Sequence, residues 1–210
     1  MTQIPKRVVY TPANASLTGF ASNVTGATWT LTTTATSDGL AHQVSIRNDS
    51  ITDHSAKTAI LVGTDEDGKA LSEIINLPGT SATVESTYYF KTLTSVTPSA
   101  TIGSDTMDIG WVDEFVSNTI PYNHRGSVAT IDFTVSGTIN YTSQFTTNLI
   151  QKDTKPFTWK DSNDTDVVNA TTNQTTGLEF PVMATRVKVN SYTDGATLTM
   201  FLTQHNQPLS

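Results

Sequence analysis

The residues able to do chemistry in this chain are few and widely spaced. The four histidines, His42, His54, His124 and His205, are far apart, and none has a partner at metal-ligand spacing. A zinc site would need ligands assembled from several strands. Cysteine is absent, which removes disulfides, thiolate ligands and a cysteine nucleophile. Asp65-Glu66-Asp67-Gly68 resembles a fragment of a calcium loop, but lacks oxygen ligands at alternate positions and a distal bidentate Glu. It reads as a solvated hairpin tip with Glu66 and Lys69 across the turn. Asp161, Asn163, Asp164 and Asp166 are equally oxygen-rich and read as a polar loop. No nucleophile elbow, phosphate-cradling glycine loop or dinucleotide fingerprint is present. A Ser, His and Asp, or a pair of carboxylates, would have to converge from distant strands. Carbohydrate-cleaving clefts are usually framed by clustered aromatics, whereas Trp29, Trp111 and Trp159 are isolated and read as core or interface. The expectation is a protein with no catalytic residues, no cofactor and no metal. Phe157 and Trp159, beside the polar loop, are the residues placed to form a binding surface.

The elements that must position these groups are strands. Over residues 57–111, Ala59-Ile60-Leu61-Val62 and residues 71–77 are β-favouring runs joined across Asp67-Gly68, a dipeptide that accepts the positive φ of a tight turn. Pro78-Gly79 ends the second run. Residues 88–97 read as one strand whose alternation is imperfect, and 106–111 as another. Earlier, residues 29–36 read as a threonine-rich strand, and 40–47 as a strand placing His42, Val44 and Ile46 on one face, so that His42 reads as structural. Later, Ile131, Phe133 and Val135 alternate with polar residues; Gly137-Thr138 turns into a partner strand over 139–145. Residues 148–155 form a polar connection, 161–177 a long loop or weak edge strand, and 186–191 with 198–202 a C-terminal hairpin before a projecting polar tail at 204–210.

Threonine supplies 40 of the 210 residues and serine 19, and charged residues only 15%. That usage suits half-buried pleated strands and disfavours long helices. The fold class expected is all-β: two antiparallel β-sandwich or jelly-roll-like units, at residues 28–118 and 119–210, with an extended N-terminal arm at 1–27. The boundary lies in the acidic, aperiodic stretch 112–126. The arm is marked by Ile4-Pro5 and Thr11-Pro12, and either is a mobile terminus or docks on a neighbouring subunit. A net charge of −7, with scattered Lys and Arg, argues against nucleic acid. No apolar run is long enough for a membrane, and the first 17 residues lack the apolar core of a secretory signal, so synthesis in the cytoplasm is expected. The Asn-x-Ser/Thr triplets, beginning at Asn14 and ending at Asn173, read as a consequence of composition.

Several segments resemble a kind of small β-rich virion protein of tailed bacteriophages. They are Asp38-Gly39-Leu40-Ala41 leading to Val44-Ser45-Ile46, Val62-Gly63-Thr64-Asp65-Glu66-Asp67-Gly68, Ser72-Glu73, Pro78-Gly79 and residues 90–97. A second block comprises residues 135–141, Phe180-Pro181, Ser191-Tyr192 and Gly195-Ala196-Thr197-Leu198-Thr199. The resemblance implies a non-enzymatic structural subunit: a capsid decoration (cement) protein or a head–tail or tail accessory. Its partners would be other virion proteins and copies of itself, and its place the virion. Ile4, Val8, Val9 and Tyr10 of the arm, with Phe157 and Trp159, are the interface residues expected. The alternative is a carbohydrate-binding or adhesin module on the virion surface, using residues 157–177.

Overall fold

The computed structural model describes residues 5–122, 128–148, 157–178 and 182–205. Its elements are antiparallel strands, and the only helical turn among the described residues is the 3-10 turn Thr165–Val167. Two units emerge, Ala13–Val116 and Met1–Pro12 with Ser117–Ser210. The division at the C-terminal side falls between residues 116 and 117 because the strand expected to stop at 111 continues to Val116, carrying Phe115 and Val116 into full burial.

The extended arm is replaced by two strands of the chain's own sheets. β1 (Lys6–Tyr10) pairs with the C-terminal strand, Lys6 opposite Leu202 and Tyr10 opposite Leu198. β2 (Ser16–Val24) buries Phe20 and Ala21 completely. The physical reason is that prolines at 5 and 12 bracket the first strand without interrupting it, so they end a strand where the sequence suggested an unpaired segment. Ile4 lies outside the described residues.

The first unit contains β2, β3 (Ala41–Asn48), β4 (Thr58–Thr64), β5 (Ala70–Asn76), β6 (Thr83–Phe90), β7 (Thr92–Pro98) and β8 (Met107–Val116). One sheet runs β2–β8–β3–β6 and the other β5–β4–β7. Their inward residues, among them Phe20, Ile46, Leu61, Phe90, Leu93 and Ile109, form one core. Residues 88–97 are thus two strands that change sheet at Lys91, whose N–H donates to Thr64 O at 2.8 Å. The switch explains the broken alternation: inward parity resets when a strand leaves one sheet for another. The strand expected at 29–36 is irregular. Thr32 and Thr33 donate both backbone N–H and hydroxyl groups to Phe20 O and Gly19 O, so their backbone donors go to two residues of β2 in place of a regular ladder.

The second unit contains β1, β9 (Ile120–Pro121), β10 (Val128–Ser136), β11 (Ile139–Thr146), β12 (Lys160–Asp161), β13 (Gln174–Leu178), β14 (Ala184–Tyr192) and β15 (Thr197–His205). One sheet runs β1–β15–β10–β13; in the other β14 pairs with β11 and β9, and β12 with β11. The two hairpins expected here are therefore not hairpins. β10 pairs with β15 and β11 with β14, so the turns at Gly137 (φ +81°) and Gly195 (φ +74°) carry the chain from one sheet to the other. Glycine turns fix a reversal but not whether the second strand pairs with the first or packs on it. The stacked turns are tied by Thr193 N–H to Thr138 O at 3.0 Å, and the rings of Phe133 and Tyr141 meet between the sheets with centroids 4.7 Å apart. The connection expected at 148–155 falls, but for Asn148, outside the described residues; of the tail expected at 204–210, Gln204 and His205 instead continue β15, paired with Ala129 and Val128, and the rest lies outside the described residues.

Candidate functional site

The sharpest polar cluster gathers on the turn before β3. Asp38 accepts hydrogen bonds from Ala13 N (2.6 Å), Leu40 N (2.9 Å), Thr36 Oγ1 (2.7 Å) and His42 Nε2 (2.8 Å). The His42 ring also meets Val112 O through Nδ1 at 3.1 Å and packs on Phe115. Both side chains are buried. Two acceptors, Val112 O and the Asp38 carboxylate, face the two ring nitrogens. Burial alone would raise the Asp38 carboxyl, but His42, as hydrogen-bond donor and as charge, and the N–H groups of Ala13 and Leu40 together hold it well below the usual carboxylate range. With every nitrogen and carboxylate oxygen committed, the pair ties the chain at residue 13 to β3 and β8.

His54 forms a second string. Lys57 Nζ donates to its Nδ1 at 3.1 Å and to Thr101 O at 2.8 Å, and Nε2 meets Asp105 Oδ2 at 3.0 Å. Both ring nitrogens are thus engaged, one by the Lys57 ammonium and the other by the Asp105 carboxylate. The Thr52 hydroxyl, opposed by burial and joined by His54 and Ser50, lowers the Asp105 carboxyl. This string laces the loop before β4 to the loop before β8.

Among the described residues two carboxylates, one just after β3 and one on its neighbour β8, come together. Asp49, paired with Arg47 Nη2 at 2.8 Å, neighbours Asp108, whose Oδ1 accepts Asn23 N–H. Burial first, and then Asp108 as hydrogen-bond partner and charge, push the Asp49 carboxyl up, with Arg47 opposing. Among the described residues no group of three or more His, Cys, Asp or Glu side chains could hold a metal ion. The hairpin tip is a correction: Asp65 and Glu66 are buried, not solvated. Asp65 Oδ1 accepts Asp67 N–H and Lys69 N–H, so the carboxylate organises the turn from within. His124 and the His205 side chain lie outside the description.

Of the six expected interface residues, five lie among the described residues, and they differ in exposure. Val8 is half-buried, Val9 is 46% exposed and Tyr10 is buried, its phenol pushed up to about 12 by burial against a hydrogen bond to Ser117. Phe157 and Trp159 are half-buried beside β12. The Arg186 guanidinium lies 4.4 Å from the Trp159 ring centroid; its Nε donates to Gln144 Oε1 at 2.9 Å, and Gln144 Nε2 donates to Asp161 Oδ1 at 2.9 Å.

Sequence reading missed the outer face of β5–β4–β7. Ile60 is 43%, Val62 40% and Ile74 67% exposed, and Ile60 stands directly opposite Ile74 in register. The signal was available: Ala59-Ile60-Leu61-Val62 is apolar on both parities, so a strand with only one face buried must show the other to solvent. The three strands hold a single charged residue, Glu73. Its carboxylate bonds Thr87 N–H (2.7 Å) and Tyr88 N–H (3.0 Å), away at the β5 edge.

No protein-family model matches the chain, and no curated protein does. Among solved structures, the major capsid protein P2 of bacteriophage PM2 aligns over 95% of this chain and 97% of its own, at 11% identity and a TM-score of 0.19. The infectious bursal disease virus Gx strain structure aligns over 99% and 72%, at 13% identity and a TM-score of 0.20. Likeness at TM-scores this low carries no argument about fold or function.

Proposed function

We propose that the chain is a non-enzymatic structural subunit of a bacteriophage virion, a capsid decoration (cement) protein or a head–tail or tail accessory, that assembles through protein–protein contacts. The observation that carries this reading is the division of its polar and apolar groups. His42 is closed on Asp38 and His54 on Asp105, lacing loops to strands, while β-branched apolar side chains stand on an open sheet face. In both strings the two ring nitrogens of the histidine are already engaged within the fold, which leaves neither ring a nitrogen to act as base toward a substrate; assembly needs apolar surface outside. The segments resembling phage virion proteins, and the absence of any described helix able to cross a membrane, agree with it. Immunogold electron microscopy with antibodies to the purified chain tests the reading. Labelled heads, necks or tails are expected, and particles free of label would overturn it.

The strip of Asp161, Gln144 and Arg186 over Trp159 favours one second reading, a carbohydrate-binding or adhesin module, since an aromatic ring beside planar polar groups suits a sugar. Saturable glycan binding lost in Trp159→Ala would establish it.

A further inference from the structure

We infer that the outer face of the β5–β4–β7 sheet is a contact surface for a second copy of this chain. The inference rests on reading the chain as an assembly subunit and names the surface that reading requires. Three observations lead to it. The face presents Ile60, Val62 and Ile74 to solvent, ringed by Ser72, Ser95 and Thr97, which are their partners across the ladders. It carries no charge, because Glu73, the only charged residue in the three strands, is bonded to Thr87 and Tyr88 N–H groups at the sheet's edge. The same clamp occupies part of the β5 edge, which leaves face-to-face packing in preference to addition of a strand.

The charge pattern selects the occupant. The chain carries −7 overall, so two copies repel through most of their surfaces and meet with no like charges opposed only where charge is absent. A basic partner would instead seek acidic surface and gain nothing here. Area sets the strength. Strands of seven residues span about 24 Å, and three of them about 14 Å, giving a footprint of about 300 Å². A standard interface takes about 800 Å² from each partner. The pair is therefore weak in isolation and becomes effective where many copies are held side by side, as on a particle surface.

Sedimentation velocity of the full chain from about 10 μM to about 1 mM tests this, alongside Ile74→Lys and a control, Ile51→Lys, in the loop between β3 and β4. The wild type and Ile51→Lys are expected to grow heavier with concentration, with little change between low and high salt, while Ile74→Lys stays monomeric with an unchanged melting temperature, because Ile74 is 67% exposed. A wild type that stays monomeric throughout, or an Ile74→Lys chain that associates equally, overturns the inference. If Ile74→Lys loses fold, Ile74→Ser takes its place, and association as strong as wild type counts against. Labelling of virions is read separately: virions that carry the chain while the ultracentrifuge shows only monomer refute this face alone, and label-free virions refute the structural role.

Discussion

Asp38 is a residue whose importance comes from what surrounds it. The pair is buried, so replacing Asp38 leaves His42 Nε2 and the N–H groups of Ala13 and Leu40 without their carboxylate. Asp38→Asn is expected to cost about 3 kcal/mol at pH 7, read by urea unfolding. The pH dependence follows from the direction of its shift. The folded chain holds this carboxyl below its ordinary value, so as pH falls the unfolded chain binds the proton first. The contribution is full above about pH 5 and drains away as pH falls through about 4 and below. The gap between wild type and Asp38→Asn should therefore narrow toward pH 3; a gap equal at both ends would refute the pairing. His42 was legible as structural from its parity. Asp38 was not, because its partners include Ala13 N and the ring of a residue beyond a turn, and nothing in the local pattern announces them.

At the level of elements, strand existence was legible and strand pairing was not. Alternation in residues 131–135 and the apolar runs near 59–62 and 71–77 mark real strands, and the β4–β5 hairpin has its expected turn, with Thr64 opposite Ala70 across Asp65–Lys69. The failures share one cause. Where a strand changes sheet at Lys91, or a glycine turn crosses between sheets at 137 and 195, the local residues are the same as in a continuous strand or hairpin, and only distant partners distinguish the two. Glycines that permit close strand approach are a related silent feature. A Cβ on Gly110 would lie 1.7 Å from Ser16 O, and one on Gly19 1.9 Å from the Trp111 ring. Backbone cannot yield as a flexible side chain can, so Gly110→Ala must push β2 off β8. The expected loss is about 3 kcal/mol or more, visible as faster amide exchange along β2 and β8; a melting temperature within a degree or so of wild type would contradict it.

For the whole molecule, the decisive segment is residues 5–24, which the sequence suggested as an arm and the fold uses in both units. β1 contributes Tyr10, 5% exposed, and covers the edge of β15 from Lys6 opposite Leu202 to Tyr10 opposite Leu198. β2 contributes Phe20 and Ala21, both 0% exposed, to the core of the other unit. Each large side chain so buried is worth about 2 to 3 kcal/mol, and removing β1 also bares the backbone edge of β15. Deletion of residues 1–20 should therefore act first on stability. A loss of about 5 kcal/mol corresponds to a fall of about 10 to 20 °C in melting temperature for a chain of this size, with the bared edge favouring aggregation. Differential scanning calorimetry of the truncated and full chains checks this. Deletion of residues 1–4 alone leaves every described strand in place and serves as the control, with a melting temperature expected to match the full chain. If the 1–20 deletion melts with wild-type cooperativity and temperature, the segment is an accessory arm after all, and the pairing of β1 with β15 does not hold in solution.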